Sequence, residues 1–266
     1  MKSSPCVVIA GAGDVGGRLA ALRARCGDEV IALRRRDAQT GAGIRAIRAD
    51  LATGHGLEQL PRQPDALVFC AAPDERNEAA YRALYLDGLR RLLDACDARR
   101  VIFVSSTAVY AEDAGEWVDE ATPPHPLAFN GRVLLDAEHV LDAHAQGVVL
   151  RPSGLYGPGR DAMLRRARIG EGNRPRWSNR LHVDDAASAL SCLLDLAAPQ
   201  PLYLGSDDGP ARECDVVAWL RECAGLPALP SEPGADTGRR VSNARLRAAG
   251  WLPRYPDFRA GYAPLL

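Results

Sequence analysis

The chain has 266 residues, 47% hydrophobic and 25% charged, and its 33 basic and 34 acidic side chains leave a formal net charge of −1. That composition excludes a disordered chain and gives no overall attraction to nucleic acid or to an anionic membrane. The length suits one large domain, or a core with a smaller lobe. Lys2 is the single lysine, so the other 32 basic residues are arginine. It sits at a terminus expected to fray, which excludes chemistry that needs a buried lysine.

Strands are predicted at Cys6–Ala10, Glu29–Leu33, Ala66–Cys70, Val101–Ser105, Val148–Arg151 and Leu202–Gly205. Helices are predicted between them near Val15–Arg25, Glu78–Ala98, Gly131–Gln146, Asp184–Ala197 and Glu213–Ala224. Alternating short apolar runs and helix-period stretches is the pattern of an α/β fold, a doubly wound parallel sheet of Rossmann type. Continuous Val/Ile/Leu runs are what strands buried on both faces require. The core is expected over 1–154 and a smaller C-terminal substrate lobe over 155–266, with late core elements interleaved at about 181–205. The pattern loosens into Gly, Pro and Arg at Ser153–Arg180 and again at Pro227–Arg240.

The first strand runs into a turn, Val7-Val8-Ile9-Ala10-Gly11-Ala12-Gly13-Asp14-Val15-Gly16-Gly17. This is G-x-G-x-x-G between a strand and a helix. Gly11, Gly13 and Gly16 permit the tight turn, the approach of backbone to a pyrophosphate, and close helix–strand packing. Asp14 and Val15 open the helix whose N–H groups face that phosphate. The position that chooses between dinucleotides follows the second strand, where Arg34-Arg35-Arg36 stands in place of a carboxylate. Arg34 and Arg35 suit a 2′-phosphate, so NADP(H) is expected over NAD(H); the other reading is a solvated basic run in an arginine-rich chain.

Further segments carry a family resemblance. They are Asp50-Leu51, Val68-Phe69-Cys70-Ala71-Ala72, Val104-Ser105-Ser106-Thr107-Ala108-Val109-Tyr110, Leu150-Arg151-Pro152-Ser153-Gly154-Leu155-Tyr156-Gly157-Pro158-Gly159, Asn179-Arg180-Leu181-His182-Val183-Asp184-Asp185, and Val241-Ser242-Asn243-Ala244-Arg245-Leu246 with Gly250-Trp251. In order and spacing the chain resembles the extended short-chain dehydrogenase/reductases, the NAD-dependent epimerase/dehydratase family, over nearly its whole length. The resemblance implies that Asp50 and Leu51 contact the adenine. It implies that Cys70, Ala71 and Ala72 run along the cofactor, and that Ser106 is the serine of the family's catalytic triad.

The resemblance fails at the catalytic helix. The family places Tyr-x-x-x-Lys there, one helical turn apart, so that the ammonium tunes the phenol for proton transfer. Alignment on Glu138 puts Asn130 at the tyrosine and Leu134 at the lysine; a shift of one gives Phe129 and Val133. Neither pair can exchange a proton near neutral pH. The chain thus resembles an atypical branch that lacks the dyad. Ser106 remains to position a substrate oxygen. Tyr110 and His125 are substitute proton carriers to weigh against packing and loop roles, and Arg132 is a fixed cation.

The seven arginines between Arg160 and Arg180 (160, 165, 166, 168, 174, 176 and 180) suit a phosphate, a nucleoside diphosphate or a carboxylate, or else form a solvated face. No metal-ligand spacing and no Gly-x-Ser-x-Gly elbow occurs, and His182 reads as packing. The seven cysteines are odd in number and lack C-x-x-C, which predicts buried reduced thiols. No apolar run reaches the length of a membrane span, and Gly11, Gly13 and Asp14 break up the apolar start that could be mistaken for a signal peptide. A soluble, cytoplasmic protein is expected, with a small-molecule substrate, no nucleic acid or membrane partner, and its oligomeric state open. Its expected activity is that of an oxidoreductase or epimerase/dehydratase-like enzyme on a small anionic substrate. The alternative is a catalytically inactive NADP(H)-binding regulatory or redox-sensing protein.

Overall fold

The computed structural model describes residues 4–36, 41–144, 146–230, 234 and 236–266. Lys2, with its expected frayed terminus, lies outside the described residues. In chain order the first elements are β1 (Cys6–Ala10), α1 (Asp14–Arg25), β2 (Glu29–Arg34), β3 (Ile44–Arg48), β4 (Ala66–Phe69), α2 (Glu78–Tyr81), α3 (Leu89–Ala95) and β5 (Arg100–Val104). Then follow β6 (Ala114–Val118), α4 (Phe129–Leu141), β7 (Gly147–Pro152), β8 (Gly154–Tyr156), α5 (Ala162–Arg168), β9 (Arg176–Ser178), β10 (Arg180–His182), α6 (Val183–Asp195) and β11 (Leu202–Gly205). The chain ends with β12 (Ala211–Arg212), α7 (Glu213–Cys223), β13 (Thr237–Val241), α8 (Ala244–Ala248) and α9 (Phe258–Tyr262).

A seven-stranded sheet in the order β11-β7-β5-β4-β1-β2-β3 forms the centre. Its paired registers run parallel, from Cys6 beside Glu29 to Val104 beside Leu150. The six predicted strands are all present, because runs such as Ala66–Phe69 are buried along their whole length. The strand β3 was not predicted. Its Ile44-Arg45-Ala46-Ile47-Arg48 buries Ile47 but leaves charged residues in solvent, as an edge strand does.

The predicted helix Glu78–Ala98 is not one α-helix. Between α2 and α3, Arg82–Gly88 is a π-helical stretch. Gly88 passes so close to the Leu51 carbonyl that a Cβ there would lie 3.1 Å from its oxygen. The helix predicted from Gly131 to Gln146 begins two residues earlier, at Phe129, and stops at Leu141. All seven cysteines are free, but not all are buried: Cys96 is buried, while Cys26 and Cys223 are exposed.

The chain divides into two compact units. The first comprises Met1–Tyr110, Pro124–Arg151 and Ala187–Tyr203, and the second Ala111–Pro123, Pro152–Ala186 and Leu204–Leu266. The second unit holds a four-stranded sheet, β12-β9-β13-β6, and a two-stranded one, β10-β8. Its apolar core packs Tyr156, Leu164, Val216, Val217, Leu220, Phe258 and Tyr262 together. Gly238, with φ +77°, makes the register shift by which β13 pairs with β6, and a Cβ there would sit 2.1 Å from the Trp177 carbonyl.

Candidate functional site

The sheet order reverses at β1, with β2 on one side and β4 on the other, and the glycine turn sits at the carboxyl end of β1. That is where an open α/β sheet opens a crevice for a ligand. Gly11 has φ +94°, and a Cβ on it would lie 2.3 Å from the Ala71 Cα. At Gly16 a Cβ would lie 2.4 Å from the Gly11 carbonyl oxygen and 2.7 Å from the Cys70 sulfur. Both glycines are therefore required by packing. Gly13 differs: nothing lies within 4 Å of its Cβ position, so the start of α1 faces open space. Backbone bonds from Ala12 to the Leu33 carbonyl (3.1 Å) and from Cys70 to the Ala10 carbonyl (2.9 Å) tie the turn to both neighbouring strands. Val15 is buried, whereas Asp14 is exposed and receives a bond from Arg18 at 3.1 Å.

Of the arginines that end β2, Arg34 lies along the first turns of α1, its Nη2 3.3 Å from where a Gly17 Cβ would be. Its Nε is buried without a hydrogen-bond partner. Arg35 donates two bonds to the Asp74 carboxylate, one of them at 2.7 Å. This hydrogen bond holds Asp74 below the usual carboxylate range and raises Arg35. Asp50 accepts from the Ala52 backbone at 2.9 Å, and Leu51 is buried beside it. Cys70 is half-buried beneath the turn, and desolvation pushes its thiol up to about 12. Ala71 presses on Gly11, and Ala72 is exposed.

At the end of β5, Ser106 is half-buried and accepts from the Ala108 backbone N–H at 3.1 Å, so its own hydrogen is available to a substrate oxygen. Beneath it lies a buried polar frame. Ser105 donates to Glu138, and Arg151 donates to both Glu138 oxygens, its Nε at 3.0 Å. Arg151 also donates to the Tyr110 hydroxyl at 2.7 Å. Burial alone would lower Arg151, but the bonds and charge of Glu138 outweigh it and raise this cation. Tyr110 is 2% exposed, with its hydroxyl on that cation. Sequence reasoning missed the frame, whose hydrogen-bonded pairs lie 13 to 41 residues apart in the chain.

On α4, Asn130 is half-buried and Leu134 is 4% exposed. Gly131 lets the helix approach Thr107–Val109, since a Cβ there would lie 2.4 Å from the Ala108 carbonyl oxygen. Arg132 is exposed and donates to the Leu127 carbonyl at 2.8 Å, and His125 is exposed. Tyr81 was not singled out by the sequence. Its half-buried ring meets Phe129 edge-on at 5.4 Å, which brings a phenol against the first turn of α4. Tyr85, by contrast, is buried and its hydroxyl is raised by desolvation.

In the second unit, Arg165, Arg166 and Arg176 pair with Asp161, Glu213 and Asp113, and Arg180 is 5% exposed. His182 is buried, its ring tilted against that of Tyr255 with centroids 4.0 Å apart. Asp185 accepts from the backbones of Arg254 (2.8 Å) and Tyr255 (3.0 Å), so the His-Val-Asp-Asp segment anchors the C-terminal region of this unit. No helix among the described residues is long and apolar enough to cross a membrane.

Sheet order and turn define a Rossmann-type α/β protein. The chain belongs to the NAD dependent epimerase/dehydratase family, whose sequence model matches residues 6–203. It is 30% identical over 204 residues to Protein YeeZ of Escherichia coli (strain K12), covering 73% of this chain and 72% of that protein. A structure of a candidate NAD-dependent epimerase/dehydratase from Methylobacillus flagellatus is 36% identical with a TM-score of 0.87, covering 99% of this chain and 98% of the other. MoeE5, solved with UDP-glucose and NAD, is 24% identical with a TM-score of 0.81, covering 98% of this chain and 96% of the other.

Proposed function

We propose that this protein binds NADP(H) over the glycine turn and acts in the cytoplasm as an oxidoreductase or epimerase-type enzyme on a small anionic substrate. The observation that carries the reading is the cradle itself. Gly11 and Gly16 are packed to contact while the space over Gly13 is open, and the partnerless Nε of Arg34 lies beside the same helix. Gly11, Gly13 and Gly16, with Asp14 and Val15, would hold the pyrophosphate at the start of α1. Asp50 and Leu51 would hold the adenine, and Arg34 and Arg35 the 2′-phosphate. Ala71 and Ala72 would line the path toward the nicotinamide. The cofactor supplies hydride transfer when bound.

Ser106 donates its hydroxyl hydrogen to a substrate oxygen and orients it. In this reading Tyr81 carries the proton, because it is the phenol held against the helix that lacks the family's own. MoeE5 was solved with UDP-glucose, which supports screening nucleotide sugars and other phosphate- or carboxylate-bearing compounds first.

The second reading is a dinucleotide-binding regulator without turnover, favoured by Asn130 and Leu134 at the dyad positions. Calorimetric titration with NADPH and NADH tests the binding, and NADPH oxidation across a carbonyl and nucleotide-sugar library tests the chemistry. NADPH binding tighter than NADH, with turnover that falls about 10-fold or more in Ser106→Ala at unchanged stability, supports the enzyme. Binding without turnover across the library supports the regulator.

A further inference from the structure

The loop after β4 and the end of β2 flank the glycine turn, because the sheet order places β1 between those strands. Arg35 on one flank and Asp74 on the other join in a two-pronged ion pair across it. Both side chains are mostly in solvent, 51% and 62% exposed, so burial does not force the pair together. Sequence separation is 39 residues, and the loop that carries Asp74 begins where Ala71 packs against Gly11. A fork–fork pair of this kind occupies both terminal nitrogens of the guanidinium. These are the groups that a phosphate monoester needs.

Resting on the NADP(H) reading above, we infer that Asp74 is a specificity-determining residue that tempers the preference for the 2′-phosphorylated dinucleotide. Its carboxylate competes with the 2′-phosphate for Arg35 and repels that phosphate's negative charge. Arg34 is not engaged in this way: its Nε has no partner, and its guanidinium lies along α1. The two neighbouring arginines thus differ. Arg34 stands ready for an anion, whereas Arg35 must first exchange one anion for another. The dinucleotide without a 2′-phosphate makes no such demand, so its affinity is insensitive to the Asp74 charge.

Calorimetric titration of the full chain with NADPH and with NADH at low ionic strength, for wild type and Asp74→Asn, tests this. Asp74→Asn is expected to tighten NADPH by about two- to five-fold, the range set by breaking one exposed ion pair, and to leave NADH unchanged. The gain is expected to shrink in about 0.5 M salt, where exposed charges are screened, and to vanish in Asp74→Asn/Arg35→Ala. A ratio of NADPH to NADH affinity that does not change in Asp74→Asn overturns the inference while leaving the cofactor reading intact. A wild-type protein that binds neither dinucleotide overturns the cofactor reading, and this inference with it.

Discussion

Arg151 in the first unit and Asp207 in the second are 4% and 1% exposed, but their surroundings treat charge in opposite ways. Arg151 has a carboxylate, Glu138, on two of its nitrogens and the Tyr110 hydroxyl on a third. The charge is kept. Asp207 receives one bond, from the Gly209 backbone at 3.3 Å, and its other oxygen is buried without a partner. Desolvation outweighs the nearby positive charge of Arg180 and pushes its carboxyl up to about 8. The Tyr156 hydroxyl of the same unit is also buried without a partner. The first arrangement is a rigid frame beneath Ser106. The second stores a neutral acid. A buried ionisable group is stabilising in its charged form only where its partners are built around it.

The comparison is broken most directly in the first unit. Glu138→Ala strips Arg151 of its counter-charge and is expected to cost about 3–5 kcal/mol, read from urea unfolding. A loss below about 1 kcal/mol would show that the frame does not depend on the ion pair. Tyr110→Phe removes one bond to the same cation, for an expected loss of about 1.5–3 kcal/mol. Thermal unfolding reads that loss, and a parallel titration with NADPH is expected to show unchanged affinity if Tyr110 acts only through Arg151.

Asp207 sharpens the contrast through pH. An unfolded aspartate loses its proton near pH 3.9, whereas the native carboxyl holds its proton to about 8. Across that window the native state binds more protons, so stability falls as pH rises, by at most about 1.4 kcal/mol per unit. Asp207→Asn keeps the shape without the titration. It is expected to flatten the decline and to unfold at higher temperature than wild type at pH 8. Parallel pH profiles for the two proteins would exclude a neutral Asp207.

The glycine turn was legible because each of its features is local: strand, spacing and helix lie within a dozen residues, and backbone sterics act on neighbours. The six core strands were legible for a similar reason, since burial on both faces writes a continuous apolar run. The residues of α4, Asn130 and Leu134 among them, were legible as residue types alone. Short strands such as Arg176–Ser178 and Ala211–Arg212 were not, because two or three residues carry no period. The edge strand at Ile44 was hidden by its arginines. The π-helical stretch at Arg82–Gly88 was hidden by a helix period that fits either winding.

The sequence by itself determined the α/β class, the glycine turn, the Arg34-Arg35-Arg36 run after the second strand, and the presence of Asn130 and Leu134 on α4. These follow from residue type and short-range geometry. Tertiary structure decided which of those residues are free to act. It put Asp74 on Arg35 but left the Arg34 Nε without a partner, locked Tyr110 onto Arg151, and set Tyr81 against the helix that lacks its own phenol. Such pairings join residues tens of positions apart, and they are selected by strand order and burial, which no local pattern of side chains encodes.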